Sequence, residues 1–216
     1  RSQIAANTAG IVELHKMVRQ FGLDTVQAYM GHVQDNAEEA VRRVIDALED
    51  GEFRYEMDGD EDGTPYVQVK VTVDKEERSA TIDFTGTASQ QPTNFNAPKA
   101  ICIAAVIYVF RTLVNDRIPL NAGCLKPLNI IMPKGSMVNP VHPAAVVAGN
   151  VEVSQTITDC LYGALGQLAG SQGTMNNFTF GNEAGLNYYE TICGGTGAGP
   201  THHGQHAVQH VVEDKL

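Results

Sequence analysis

Residues 23–57 read LDTVQAYMGHVQDNAEEAVRRVIDALEDGEFRYEM, and their hydrophobic period changes partway along. Up to Leu48, apolar side chains recur at mostly three- and four-residue spacing: Val26, Tyr29, Met30, Val33, Ala37, Val41, Val44 and Leu48. That spacing lines one face of a helix, which we expect Asp24 to cap and Gly51 to end. From Glu52 the period falls to two, with Phe53, Tyr55 and Met57 alternating with polar partners as on a half-buried strand. The chain therefore predicts both element types.

Upstream, Ile4, Ile11, Leu14 and Val18 fall near one helical face, Phe21 closes it and Gly22 is a natural stop. The break is short, so an antiparallel helical hairpin is expected. Downstream, the acidic stretch 58–63 reads as a turn, 66–73 as a second strand and 80–84 as a third, giving an antiparallel meander with one wet face. Asp58, Asp60, Asp62 and Gly63 approach a calcium-loop spacing, but the distal bidentate Glu is missing, so a solvated hairpin tip is expected. Beyond residue 85 the chain predicts a buried helix over 99–114, a further long helix over 151–168, a short strand over 128–132 and another around 188–193. The fold class is thus α+β. The expected division is 1–85, hairpin plus meander, and 86–216, a Gly/Asn-rich region with two further helices.

Composition separates the same two parts. Residues 1–85 hold 27 of the 40 Asp, Glu, Lys and Arg, whereas residues 86–216 hold 15 of the 21 glycines and 11 of the 13 asparagines. Few charges with many amide side chains suit burial against other protein or the walls of a polar site. The formal net charge of -10 offers no footprint for nucleic acid or an anionic membrane surface. The apolar run from Ala100 to Phe110 is too short to span a bilayer. No charged leader opens the sequence, and Cys102, Cys124, Cys160 and Cys193 form no CxxC pair, so a cytoplasmic setting with free thiols is expected.

No GxSxG, Walker A, HExxH or GxGxxG-after-strand pattern is present. Residues 194–199, GGTGAG, could aim backbone N–H groups at an anion but lack a phosphate-binding Lys, and a structural turn is expected. Five segments stand out: NFNAP (94–98), PLNAGC (119–124), AGNVEVSQ (148–155), SQGTMNNFTFG (171–181) and YYETICGG (188–195). Each sets Asn, Gln, Ser, Thr or Glu beside small residues, a mixture that can hold a neutral amide or a developing oxyanion. Glu152 and Glu190, two of only seven acidic residues after position 85, could activate water if they converge. The competing reading is that these amides merely cap turns. His202, His203, His206 and His210, with Glu213 and Asp214 nearby, raise metal binding by a His-rich tail as an alternative.

The same segments, in the forms DFTGTASQQPTNFNAPKA, IPLNAGCLKPLNIIMPKGSMVNP, PAAVVAGNVEVSQTITD, GSQGTMNNFTFGN and YYETICGGTGAGP, resemble the hydantoinase B half of bacterial 5-oxoprolinases. SQIAANTAG and FGLDTVQAYM extend the resemblance towards the start. It implies a part, truncated at both ends, of an ATP-dependent hydrolase that opens 5-oxoproline, a hydantoin or a similar lactam. A hydantoinase A-like ATPase part or subunit, holding ATP and Mg, would phosphorylate the substrate carbonyl oxygen, and the B part would handle the activated intermediate. The family's metal ligands lie in a segment upstream of these residues, so neither metal nor cofactor is expected on this stretch.

Carried onto this sequence, the pattern points to Glu152, Glu190, Asn150 and Asn176 as catalytic. It points to Asn94, Asn96, Asn121, Ser154, Gln155, Ser171, Gln172, Asn177 and Thr191 as substrate-binding. The isolated stretch is expected to be inactive, to belong to an oligomer and to take a small lactam as ligand. The rival is a non-catalytic assembly module whose charge-poor region is mainly interface.

Overall fold

The computed structural model describes residues 1–56, 66–114 and 116–208. The hairpin tip with Met57, Asp58, Asp60, Asp62 and Gly63, and the tail residues His210, Glu213 and Asp214, lie outside the described residues. Helix α1 (Ser2–Phe21) is followed after the single residue Gly22 by α2 (Leu23–Ala47). Gly22 adopts φ 83°, ψ 151°, a left-handed backbone angle that ends one helix and permits the next. Asp24 lies inside the first turn of α2, favourable at the positive end of the helix dipole, and the capping position expected of it belongs to Gly22.

Three strands follow: β1 (Gly51–Glu56), β2 (Tyr66–Asp74) and β3 (Ser79–Asp83), paired antiparallel in sequence order. Val67, Val69 and Val71 of β2 and Ala80 and Ile82 of β3 are buried, while Lys70 and Thr72 face water. The period-two reading therefore assigns the faces correctly. The sheet, however, is larger than a meander. Strand β4 (Leu128–Ile131) joins β3 in parallel, making a mixed sheet of order β1-β2-β3-β4. A parallel neighbour requires a crossover, and α3 (Lys99–Leu113) lies in that connection.

Helix α4 (Val153–Ala164) packs against β1 and β2, and α3 packs beside α4. The Cys160 thiol donates to the carbonyls of Phe53 and Val67, both at 3.4 Å, tying α4 to the sheet. Ile45, Val69, Ile82, Phe84, Phe110, Met137, Ile157 and Leu161 are fully buried in a single core. That core takes residues from both sides of position 85, so the compositional change there does not divide it.

After α4 the sequence predicts one strand, around 188–193, and the structure has four. Strands β5 (Asn177–Gly181) and β6 (Asn187–Thr191) form an antiparallel hairpin, and β7 (Gly195–Thr196) pairs with β8 (Gln205–His206). His202, His203 and His206 lie on a turn and the short β8, not on one face of a helix.

Candidate functional site

Helix α4 has two faces of different chemistry. Val153, Ile157, Cys160, Leu161 and Ala164 are buried towards the core. Ser154, Thr158 and Tyr162 recur every fourth residue on the other side, with Gln155 and Asp159 beside them at the same spacing. Across from this polar face stand Ile101, Ala104, Ala105 and Tyr108 of α3, one helical stripe at i, i+3, i+4 and i+7. Between the helices lies a cleft of about 370 Å³, closed at one end by Leu168, Ala169, Ser171, Thr196 and Gly197. A Cβ on Gly197 would sit 1.9 Å from the Ala169 carbonyl oxygen, so this end wall closes only with glycine there.

The cleft offers one acidic group among uncharged ones. Asp159 is only 6% exposed, and the Ser171 hydroxyl donates to its carboxylate at 2.8 Å. Thr112 of α3 donates to the Val109 carbonyl at 2.7 Å, leaving its oxygen to accept from the Tyr162 hydroxyl at 2.7 Å. Burial pushes the Tyr162 phenol above its ordinary range. Ser154 donates to the Asn150 carbonyl at 2.7 Å and Thr158 to the Ser154 carbonyl at 2.9 Å. The apolar stripe of α3 can pack against methylenes, and the α4 face can hydrogen-bond an amide.

The structure brings four of the sequence-predicted residues to this cleft: Asn150, Ser154, Gln155 and Ser171. The others lie elsewhere. Asn96 is fully buried and brackets its own loop, donating to the carbonyls of Gln91, Thr93 and Ala145 and accepting from the Gln91 N–H. Beside it, the Asn94 carbonyl accepts from the Ala148 N–H. Asn121 caps the short 3-10 turn Ala122–Leu125 by accepting from the Gly123 N–H at 2.7 Å. Asn176 donates to Gln172, and Asn177 accepts from Tyr189 at 2.5 Å and Thr191 at 3.3 Å. Glu152 caps α4 with its backbone, and exposed Glu190 accepts from Tyr188. Neither glutamate lines the cleft.

Sequence reasoning missed Tyr108, Thr158, Asp159, Tyr162 and Thr196. The signal for three of them was present. The 154/158/162 and 155/159 spacing on a helix with an apolar opposite face marks a polar stripe, and Asp159 is the lone acid within that helix. Among the described residues, no group of three or more His, Cys, Asp and Glu is placed to hold a metal ion, and no helix is long and apolar enough to cross a membrane.

Comparison with known proteins bears on this geometry. The family described as hydantoinase B/oxoprolinase matches residues 1–215.

The chain belongs to the hydantoinase B/oxoprolinase family.

Within the family, a 5-oxoprolinase of Dictyostelium discoideum is 45% identical over 97% of the chain, and 5-oxoprolinase 1 of Arabidopsis thaliana is 47% identical over 97%. The chain spans 17% of the length of each of these relatives. An ATP-dependent caprolactamase from Pseudomonas jessenii has a similar fold, with a TM-score of 0.71 and 18% identity, covering 95% of this chain and 38% of that one. An acetone carboxylase structure matches at a TM-score of 0.69 and 15% identity, covering 88% and 29%. The fold of this family member is therefore shared with enzymes whose sequences have diverged widely.

Proposed function

We propose that this chain is a portion of an ATP-dependent hydrolase of cyclic amides, 5-oxoproline or a hydantoin-type lactam, and that the cleft between α3 and α4 receives the ring. The observation that carries the reading is the gathering of Asn150, Ser154, Gln155 and Ser171 with Asp159 at one cleft in a member of this family. In this reading Asn150 and Gln155 hold the carbonyl oxygen, and the α3 stripe packs the ring methylenes. The bracketing bonds of Asn96, Asn121 and Asn177 make them supports of the loops that frame the site. Asn150 is the candidate within the cleft for holding the oxyanion, whereas Glu152, Glu190 and Asn176, proposed for activating water and holding the oxyanion, would have to reach the ring from outside its lining.

Ring opening needs activation, because amide resonance makes the carbonyl a poor electrophile. A hydantoinase A-like ATPase part or subunit, holding ATP and Mg, would supply that activation by phosphorylating the carbonyl oxygen. In this reading ATP and Mg belong to that other part. A cytoplasmic setting belongs to the same reading.

The test uses the full-length protein containing this chain together with its ATPase part, measuring lactam-dependent ATP turnover and ring-opened product. Gln155→Ala should lower kcat/KM about 10-fold or more, as expected when a hydrogen bond to the transition state is lost. Glu152→Gln and Glu190→Gln, assayed beside Asp159→Asn, assign the base: the variant with the largest fall in kcat identifies it. If ring opening survives Gln155→Ala and all three acid substitutions unchanged, the cleft is not the site.

A second reading, an assembly surface, is favoured by the exposed apolar side chains of α1 and the start of α2, among them Ile4, Ile11, Phe21, Tyr29 and Met30. It predicts that the isolated chain self-associates in sedimentation velocity. A single monomeric species would count against it.

A further inference from the structure

The α3 wall of the cleft is bulky at its two ends and small in its middle. Ile101 and Tyr108 stand about 10 Å apart along the helix axis, with exposed Ala104 and buried Ala105 between them. The lining residues of α3 and of α4 all precede the bond that joins Thr112 to Tyr162 or end at it, so the two helices run along the cleft in the same direction. Tyr108 and Tyr162 therefore mark one end, and Asn150 and Gln155 lie towards the other. Ala104, one turn before Tyr108, lines the stretch between. An apolar protein cavity of about 150 Å³ already takes a six-membered carbon ring. The cleft, at about 370 Å³, is more than twice that size.

With the carbonyl oxygen on Asn150 and Gln155, the ring atoms farthest from it point along the cleft towards Ala104. We infer that Ala104 determines specificity: its single methyl leaves the space that takes those atoms, and the cleft admits rings one methylene larger than 5-oxoproline or hydantoin. This rests on the cyclic-amide reading and deepens it. Ala104 brings neither a proton nor a hydrogen bond to the reaction. Its contribution is space and apolar contact, and both fall on the ring methylenes. The opposite side of α3 is filled by Cys102, Val106 and Val109, all fully buried, so the helix has no room to turn away from a longer side chain at 104. Atoms added there occupy the cleft.

The experiment uses the full-length enzyme with its ATPase part and pairs each five-membered ring with one a methylene larger. 5-Oxoproline is set against 6-oxopiperidine-2-carboxylate, and hydantoin against dihydrouracil. In the parent protein, kcat/KM for the larger ring of the accepted pair should lie within about 10-fold of the smaller, since a methylene that does not fit costs about 10–200-fold. Ala104→Leu should raise the preference for the smaller ring by about 10-fold or more, whatever happens to the absolute rates. Ala104→Ser adds one atom and should shift the preference the same way by less. It carries the test should Ala104→Leu not fold. A parent that rejects the larger ring more strongly, or active variants with an unchanged preference, would overturn the role of Ala104 and leave the cyclic-amide reading standing. A parent that opens none of the rings would overturn both.

Discussion

The two ends of helix α2 have the same apolar periodicity and different surroundings. Towards its C-terminus Ala37, Val41 and Ile45 are completely buried against the sheet and α3, with Ala40 nearly so. Towards its N-terminus Val26 is buried but Tyr29, Met30 and Val33 are exposed, and α1 beyond Gly22 has no buried residue, with Ile4 71% exposed and Ile11 56%. Polar contacts follow the same gradient. Arg42 donates to the Glu77 and Arg78 carbonyls at 2.9 and 2.8 Å, and Lys126 reaches Asp35 at 2.9 Å and Glu38 at 3.1 Å. All of these lie in the second half of the helix. Periodicity thus tells which face of a helix is apolar but not what covers it.

The contrast breaks most directly at Ile45. Ile45→Ala removes buried methyl and methylene groups from the closed end and should cost about 2–5 kcal/mol in denaturant unfolding. The same change at exposed positions of α1 should cost far less, and equal costs at the two ends would show that α1 is covered after all. The second effect concerns the joint between α4 and the sheet. A Cβ at Gly51 would lie 1.8 Å from the Ala164 carbonyl oxygen, so Gly51→Ala must push β1 or the end of α4 aside. A loss of about 1–3 kcal/mol is expected. Unchanged stability would mean that the joint is softer than it looks.

These two positions also show what could be read in advance. Val41 was legible from spacing alone, but the predicted series continued through Val44, whereas the structure buries Ile45 completely and Val44 only in part. The alternation of Val67, Val69 and Val71 was legible in the same way, because strand and helix periods are local properties. The parallel pairing of Leu128–Ile131 with Ser79–Asp83 was not, since nothing in a four-residue apolar run states its partner. At the candidate site, Ser154, Gln155 and Ser171 stood out because they sit among small residues. Asp159 and Tyr162 did not, because each looks ordinary until Cys160 and Leu161 are known to point the opposite way. Asn96 and Asn121 show the converse: a dense run of amides drew attention to them, and their bonds turn out to be local loop supports. Residue type reports chemistry, and only the fold decides whether that chemistry faces a ligand or the backbone.

The smaller effects sharpen the comparison. Arg78 bonds Asp46 and Glu39 across from the turn between β2 and β3, and it holds both carboxyls below their usual range. A carboxyl whose folded pKa is depressed contributes stability above its unfolded value, near 4, and loses it as pH falls through the lower folded value. Arg78→Ala should therefore lower Tm modestly at pH 7 and less at pH 3, with added salt shrinking the pH 7 difference. A Tm loss that stays constant from pH 7 to pH 3 would mean the arginine acts through its packing.

The least effect belongs to the open end. Leu14 is exposed on a helix with no fully buried residue, so Leu14→Ala removes little buried surface and replaces leucine with a slightly better helix former. The unfolding free energy of the isolated chain should move by no more than about 0.5 kcal/mol. If the exposed stripe of α1 is an assembly surface, the same substitution should weaken self-association measured by sedimentation while leaving that free energy alone. Separating the two readouts decides whether the apolar face of α1 serves the fold or serves a contact beyond it, and a large stability loss at Leu14 would place it back inside the core.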